Sequence, residues 1–234
     1  MPFLPTAIKK KCTNEKGGLD YNQEPSRSCD LCPRLFDFRQ INIGNHNDWF
    51  NGPVPSFGVD NAELLIVGLA PGLKGANRTS RPFTGDFAGF LLYQTLIKYG
   101  FAKGVYDERI DDGLELINCK ITNAVRCVPP ENKPTPFEIK MCQQFLKGTL
   151  FVQKKLKIIV TLGKIAHDSL LEALGLKKSL YPFGHESVHN LNIDGFNDIV
   201  LISSYHCSKY NTSTKRLTEE MFHKVFEKAS FFLK

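Results

Sequence analysis

A chain of 234 residues, 42% hydrophobic and 23% charged, has the composition of a globular protein with one sizeable core, which excludes disorder, collagen and coiled coil. Thirty Lys and Arg against twenty-four Asp and Glu leave a formal net charge of +6, a bias that suits an anionic partner. The longest apolar runs fall far short of the roughly 20 residues of a membrane span, and the N-terminal lysines follow a proline-broken apolar piece, the reverse of a secretory signal, so the expectation is a cytoplasmic protein with no membrane partner.

Residues 1–60 are polar, with Pro, Gly and Asn clustered in GNHNDWFNGPVPSFGVDN, and read as an irregular arm carrying Cys29 and Cys32. From 61 to 234 short apolar runs alternate with amphipathic stretches, which predicts an α/β core belonging to the same single domain. ELLIVGLA (63–70) reads as a buried strand. Asp86 then precedes a helix over FAGFLLYQTLIKY, where Phe87, Phe90, Leu91 and Ile97 recur at helical spacing before Gly100 stops the run. A second strand covers LINCKITNAV (116–125). Thr135, Pro136 and Glu138 form a capping box with proline at the first helical position, ahead of Ile139, Cys142, Phe145 and Leu146. KIIVTLG (157–163) is a third strand, and a helix follows through Ile165, Ala166, Ser169, Leu170, Ala173 and Leu174 to Gly175. DIVLISSYH (198–206) is the fourth strand, and a last helix carries Phe222, Val225, Phe226, Ala229, Phe232 and Leu233 on one face.

Continuous apolar strands alternating with helices argue for a parallel sheet covered on both faces, with ligands at the carboxyl ends of the strands. Four stretches lie there: GLAPGLKGANRTSRPFTGD, NAVRCVPPENKP, LGKIAH and SYHCSKYNTSTKR, all rich in Gly, Pro, Asn, His or basic residues.

Seven cysteines is an odd count in a chain too large to need disulfide staples. Cys29 and Cys32 form a CxxC in a polar segment, and Cys127 and Cys142 are separated by fourteen residues, so two pairs can meet around one metal or cluster. Cys142 beside Phe145 and Leu146 also fits plain burial. Both zinc and an iron-sulfur cluster accept four thiolates; Cys12, Cys119 and Cys207 read as incidental.

GLAPG at 68–72, GANRTSRPFTGD at 75–86, ITNAVRCVPPENKP at 121–134, PFGH at 182–185 and SYHCSKYNT at 204–212 together resemble the family 5 uracil-DNA glycosylases, from about Cys29 to the C-terminus. The resemblance implies a three-layer α/β/α sandwich around a central four-stranded parallel sheet. It implies a [4Fe-4S] cluster on Cys29, Cys32, Cys127 and Cys142 that ties down the N-terminal arm. It also implies a monofunctional glycosylase acting, as a monomer, on uracil and other deaminated bases in DNA to begin base excision repair. Ser80 and Glu186 stand where that family usually has Gly, and Ala88 where Ser is common; none of these removes a candidate catalytic side chain.

An N-glycosylase extracts a base from the stack and breaks its bond to the sugar through an oxocarbenium-like transition state. It must stabilise the departing base anion, position water beside a cationic sugar, and read the base edge. The matching motifs give Asp86 the water, although on position alone it is a helix N-cap, and the two roles are compatible. His206 matches the donor to the leaving base, and Asn123 the amide that pairs with a uracil N3–H and O4 edge. Phe83 matches a stacking face for the flipped base, with Ala70, Pro71 and Gly72 offering backbone groups. Arg78, Lys209, Tyr210 and Asn211 are the candidate DNA contacts, with Arg81, Arg126, Lys133, Lys164, Lys215 and Arg216 adding charge to one basic face. Two rival readings remain. A non-catalytic iron-sulfur nucleic-acid-binding protein explains the charge and the cysteines but not Asp86, Asn123 and His206. A nucleotide-binding enzyme needs a glycine pattern that GLAPGLKGAN does not have.

Overall fold

A strand that is apolar without alternation must be covered on both faces, and this requirement builds the centre of the molecule. In the computed structural model, which describes residues 24–193, 195–196 and 198–234, the chain opens with α1 (Pro33–Asn45), β1 (Phe57–Gly58) and β2 (Leu64–Gly68). α2 (Ala76–Thr79) and α3 (Phe87–Lys98) follow, then the short pair β3 (Ala102–Lys103) and β4 (Glu115–Leu116). β5 (Cys119–Asn123), α4 (Pro136–Val152), β6 (Ile158–Leu162) and α5 (Lys164–Leu174) come next. The chain ends with β7 (Val188–Leu191), β8 (Ile199–Ser204), α6 (Lys209–Ser213) and α7 (Glu219–Phe232).

The sheet order is β1-β5-β2-β6-β8-β7. β5, β2, β6 and β8 run parallel, in registers such as Ile66 opposite Ile121 and Val160 opposite Ile202. The expected four-stranded parallel sheet is therefore the centre of a mixed six-stranded one, because β1 and β7 add antiparallel edges. The alternation within β2 divides the core: Leu64 and Ile66 pack with α3 and α7, while Leu65 and Val67 pack with α4 and α5. On α7 the stripe Phe222, Val225, Phe226 and Ala229 is fully buried, each large side chain contributing about 1.5–3 kcal/mol of transfer free energy. From β2 the chain moves to β5 on one side and then to β6 on the other. The switch in direction lies over β2, where open α/β sheets place their ligands.

Three expectations need correction. The arm is not irregular throughout: α1 occupies thirteen of its residues, with Cys32 as N-cap and Pro33 at its first position. Its buried stripe is Leu35, Arg39 and Asn42, helical in spacing but mostly polar. On α3, Phe87 and Phe90 face outward, 45% and 56% exposed; the buried side is Ala88, Leu91, Leu92, Thr95 and Leu96. On α5 and α7, Ile165 and Phe232 are likewise exposed.

The α4 capping box forms as its spacing predicts: Glu138 N–H donates to Thr135 Oγ1 at 3.3 Å and Thr135 N–H to Glu138 Oε2 at 2.7 Å. Arg34 of α1 also clasps that carboxylate, at 2.7 and 2.8 Å, pinning the arm to α4. Among the described residues no helix is long and apolar enough to cross a membrane.

Candidate active site

Three of the four parallel strand ends, those of β2, β5 and β8, deliver the site. A cavity of about 310 Å³ opens at the carboxyl edge of the sheet. Leu69, Ala70, Pro71 and Gly72 after β2 line it, with Phe83, Asp86 and Ala88 around the start of α3, Asn123 ending β5, and His206 and Ser208 beyond β8. Every residue expected to act on the base thus meets in one place. The loop after β6 does not line it; Gly163, Lys164 and Ile165 border a neighbouring cleft that shares Leu69 and His206.

Asp86 is the N-cap of α3, its Oδ1 accepting from Gly89 N–H at 3.0 Å. Oδ2 is turned the other way, so close to the β2 loop that a Cβ would come within 2.7 Å of it at Gly75 and 3.2 Å at Gly72. Burial pushes the carboxyl above its ordinary value, while the Gly89 and Ala88 backbone N–H groups pull it back down. Cap and pocket residue are thus one side chain using different oxygens.

Asn123 is 3% exposed, and its Oδ1 has no hydrogen-bond partner among the described residues. A buried acceptor left unpaired costs about 1–3 kcal/mol, which a ligand donor recovers. Room for this side chain comes from Gly68: a Cβ there would stand 2.4 Å from Asn123 Oδ1 and 2.6 Å from Phe83 Cζ. Phe83 is itself held at φ +55°, an unfavourable backbone for a bulky residue. Tyr106 steadies it by donating its hydroxyl to Phe83 O at 3.1 Å.

The His206 ring lies 6.1 Å from the Phe83 ring, tilted by 31°. Burial lowers its pKa to about 4, so the imidazole is neutral near pH 7 and offers one N–H donor. Asn211 Nδ2 donates to His206 O at 2.8 Å, and Gly163, at φ +99°, passes close behind its Cβ.

The basic loops divide. Arg78, Lys209 and Tyr210 are exposed, Tyr210 by 72%. Asn211, also a candidate DNA contact, is half-buried and braces the His206 backbone through the bond just described. Arg81 and Arg126 do not belong to a basic face at all. Arg81 is 3% exposed and forks onto Asp112 at 2.9 and 2.6 Å; Arg126 is 1% exposed, binding Glu24 at 2.7 Å and Thr149 at 2.8 Å. Both guanidiniums hold loops together from inside.

Cys29, Cys32, Cys127 and Cys142 line one cavity between α1, the loop after β5 and α4, with Leu35, Phe145 and Arg39 around them. All four are free thiols. Burial pushes Cys32 and Cys127 up to about 12 and Cys142 up to about 11. Among the described residues no three His, Cys, Asp or Glu gather as a single metal ion requires. Cys119 and Cys207 are buried in the core, and Cys12 lies outside the described residues.

The motif reading missed Asn132 and Ser208, both on the pocket wall. Asn132 sits at φ +57°, following Glu131 at φ +55°. Asn tolerates this left-handed backbone, and its place after two prolines is the signal that marks it. Ser80 and Glu186 keep φ values of +66° and +61°, so the backbone that glycine would favour is retained without glycine.

A model of the uracil DNA glycosylase superfamily matches residues 55–230. The chain is 41% identical over 207 residues to a type-5 uracil-DNA glycosylase of Thermus thermophilus, covering 86% of this chain and 92% of the relative. It is 34% identical over 207 residues to a type-5 uracil-DNA glycosylase of Pyrobaculum aerophilum, covering 87% and 88%. A type-4 uracil-DNA glycosylase of Sulfurisphaera tokodaii is 29% identical over 222 residues, 90% of this chain and 84% of that one.

Proposed function

The chain belongs to the uracil DNA glycosylase superfamily, and from that premise we propose that it hydrolyses the N-glycosidic bond of uracil in DNA, leaving an abasic site for base excision repair. The observation that carries this reading is the unpaired Asn123 Oδ1 in a cavity shared with Asp86, His206 and Phe83. Uracil presents N3–H and O4 side by side, so an amide pairs with both. In the orientation that pairs with uracil, cytosine would set its N3 acceptor against Oδ1 and its N4 amine against Nδ2.

The flipped base stacks on Phe83, its edge on Asn123. As the bond to C1′ lengthens, negative charge spreads onto the base oxygens, where the neutral His206 N–H donates and stabilises the anion. A neutral donor suits this step, since burial has already removed the imidazole's own charge. Positive charge grows on the sugar, and Asp86 answers it with the oxygen its cap leaves free, which also orients the attacking water. The N-terminal dipole of α3 and two backbone donors favour the ionised carboxylate against burial. The reading is hydrolysis without a lyase step, and trapping of a covalent DNA adduct with borohydride would overturn it. Exposed Arg78, Lys209 and Tyr210 are the DNA contacts of this reading, Tyr210 filling the space the base vacates.

The reading extends to a [4Fe-4S] cluster held by Cys29, Cys32, Cys127 and Cys142. Four free thiols around one cavity supply the donor set. Zinc accepts four thiolates as well, and it is the resemblance of the surrounding motifs to the family 5 enzymes that favours the cluster. Arg39, buried, lines the same cavity with an Nε that lacks a partner among the described residues, a cation and donor facing an anionic group. Such a cluster supplies a crosslink, fastening the arm to the loop after β5 and to α4.

The test is product analysis: iron-replete protein incubated with duplexes containing uracil, hypoxanthine or xanthine, with free base measured by chromatography. Release of free uracil, with strands intact until alkali is added, is the expected result. Intact uracil duplex under conditions of tight DNA binding would favour the non-catalytic reading.

A further inference from the structure

His185, the last residue of PFGH, touches none of the groups that line the base pocket, yet the structure gives it a defined task. β8 ends at Ser204, and the next two residues carry the chain to His206. On the β6 side the ladder continues one step, Gly163 N–H donating to Ser204 O at 2.8 Å. On the β7 side the last backbone bonds are Ser203 N–H to Ser187 O at 3.0 Å and Glu186 N–H to Ser203 O at 2.8 Å. There the neighbouring backbone turns away through Glu186 at φ +61°. Tyr205 N–H would be left without a strand partner, and His185 Nδ1 accepts it at 3.2 Å, the ring standing where a carbonyl would. Because Nδ1 accepts, the ring proton sits on Nε2, which faces Glu186 Oε1 at 3.6 Å.

The same imidazole lies nearly parallel to the Tyr205 ring, centroids 5.0 Å apart and planes 15° off. Arg216 lies over that ring at 4.7 Å, and Phe183 meets it at 6.1 Å. Tyr205 is thus held by backbone and by ring, and the peptide that follows it is the one that carries His206.

We propose that His185 is a positioning residue for His206: by accepting Tyr205 N–H and stacking on its ring, it sets the direction in which the chain leaves β8 and so the place of the catalytic imidazole. The proposal rests on the reading of His206 as donor to the leaving base. The acceptor is the part that decides: a phenyl ring keeps the stack and loses the acceptor, whereas an asparagine Oδ1 keeps the acceptor at the expense of the stack.

Two variants of the iron-replete protein separate these parts, read by single-turnover cleavage of a uracil duplex and by DNA affinity. His185→Phe is expected to lower the cleavage rate about tenfold to a hundredfold with affinity changed by less than about twofold, and His185→Asn to recover to within about threefold of wild type. A His185→Phe protein that cleaves at the wild-type rate overturns the proposal, as does a His185→Asn protein that fails equally. Should either variant not fold, the ¹⁵N spectrum of histidine-labelled wild type decides: an unprotonated Nδ1 on His185 supports the contact, a protonated one overturns it. An inactive wild type strikes the reading of the reaction, whereas an active His185→Phe protein strikes only the positioning role.

Discussion

Replacing Asp86 by Asn separates the two roles that this side chain combines. As N-cap it accepts Gly89 N–H at 3.0 Å, a bond an Asn Oδ1 makes equally well. Asp86→Ala loses that cap, costing about 1 kcal/mol, or about 2–4 °C in melting temperature for a chain of this size. The charge behaves differently. Burial raises the Asp86 pKa in the folded protein, so the ionised form is penalised there relative to the unfolded chain. Above that raised value the wild type bears a penalty Asn does not have, and the penalty fades as the pH falls through the raised pKa toward the ordinary carboxylate value. Asp86→Asn is therefore expected to be at least as stable as wild type at neutral pH, the difference shrinking on acidification. Its cleavage rate should nevertheless fall by about a hundredfold or more, since neither sugar charge nor water is then served by a carboxylate. Thermal unfolding at two pH values and single-turnover cleavage of a uracil duplex measure both sides. An Asn variant within threefold of wild type in rate would leave Asp86 a helix cap and nothing more, and the catalytic argument would fail.

Gly68→Ala sets a methyl 2.4 Å from Asn123 Oδ1 and 2.6 Å from Phe83 Cζ, so uracil cleavage should fall at least about tenfold while stability drops by about 1–3 kcal/mol; unchanged kinetics would mean the Asn123 pocket is not used. Asp112→Asn breaks the buried fork to Arg81 and should cost about 3–5 kcal/mol by denaturant titration. Arg81 and two backbone N–H groups hold the Asp112 carboxyl well below its ordinary value, so wild-type stability from this source is present above about pH 4 and is lost below it, an acid limb the variant should lack. The His206 ring should titrate near pH 4 by NMR; a midpoint near 6.5 would show it solvated and charged at the wrong moment. Ser80→Gly relieves a left-handed residue and should be neutral to stabilising by about 1 kcal/mol, and a clear loss of melting temperature would show that Ser80 is held for another reason.

The central strands were legible because burial on both faces writes itself as unbroken apolar sequence, and β2, β5 and β6 bury every residue. The edges left no such trace: β1 is two residues long, and only Leu191 of β7 is buried. α1 has the right spacing, but its buried positions include Arg39 and Asn42, which a hydrophobic pattern passes over. The converse error lies in α3, where Phe87 and Phe90 look like core and face outward, since Ala88 and Thr95 on the buried side carry little hydrophobic signal.

At the site, strand-end position and motif order located Asp86, Asn123 and His206 together. Charge sign alone could not tell a DNA contact from a strut. Arg81 and Arg126 find their acidic partners 31 and 102 residues away, and only the fold brings those together. The cap and the pocket meeting at Asp86 were both visible in the sequence; which oxygen served which was not.

The most direct measurement is cleavage of one uracil-containing duplex, and of the same duplex with cytosine in its place, by wild type and by the His206→Ala and Asn123→Ala proteins, with alkali revealing abasic sites. Cutting at uracil alone, weakened in both variants while they bind DNA and melt near the wild-type temperature, is the predicted result. Equal cutting by all three proteins, or cutting of the cytosine duplex, would contradict the account of this pocket.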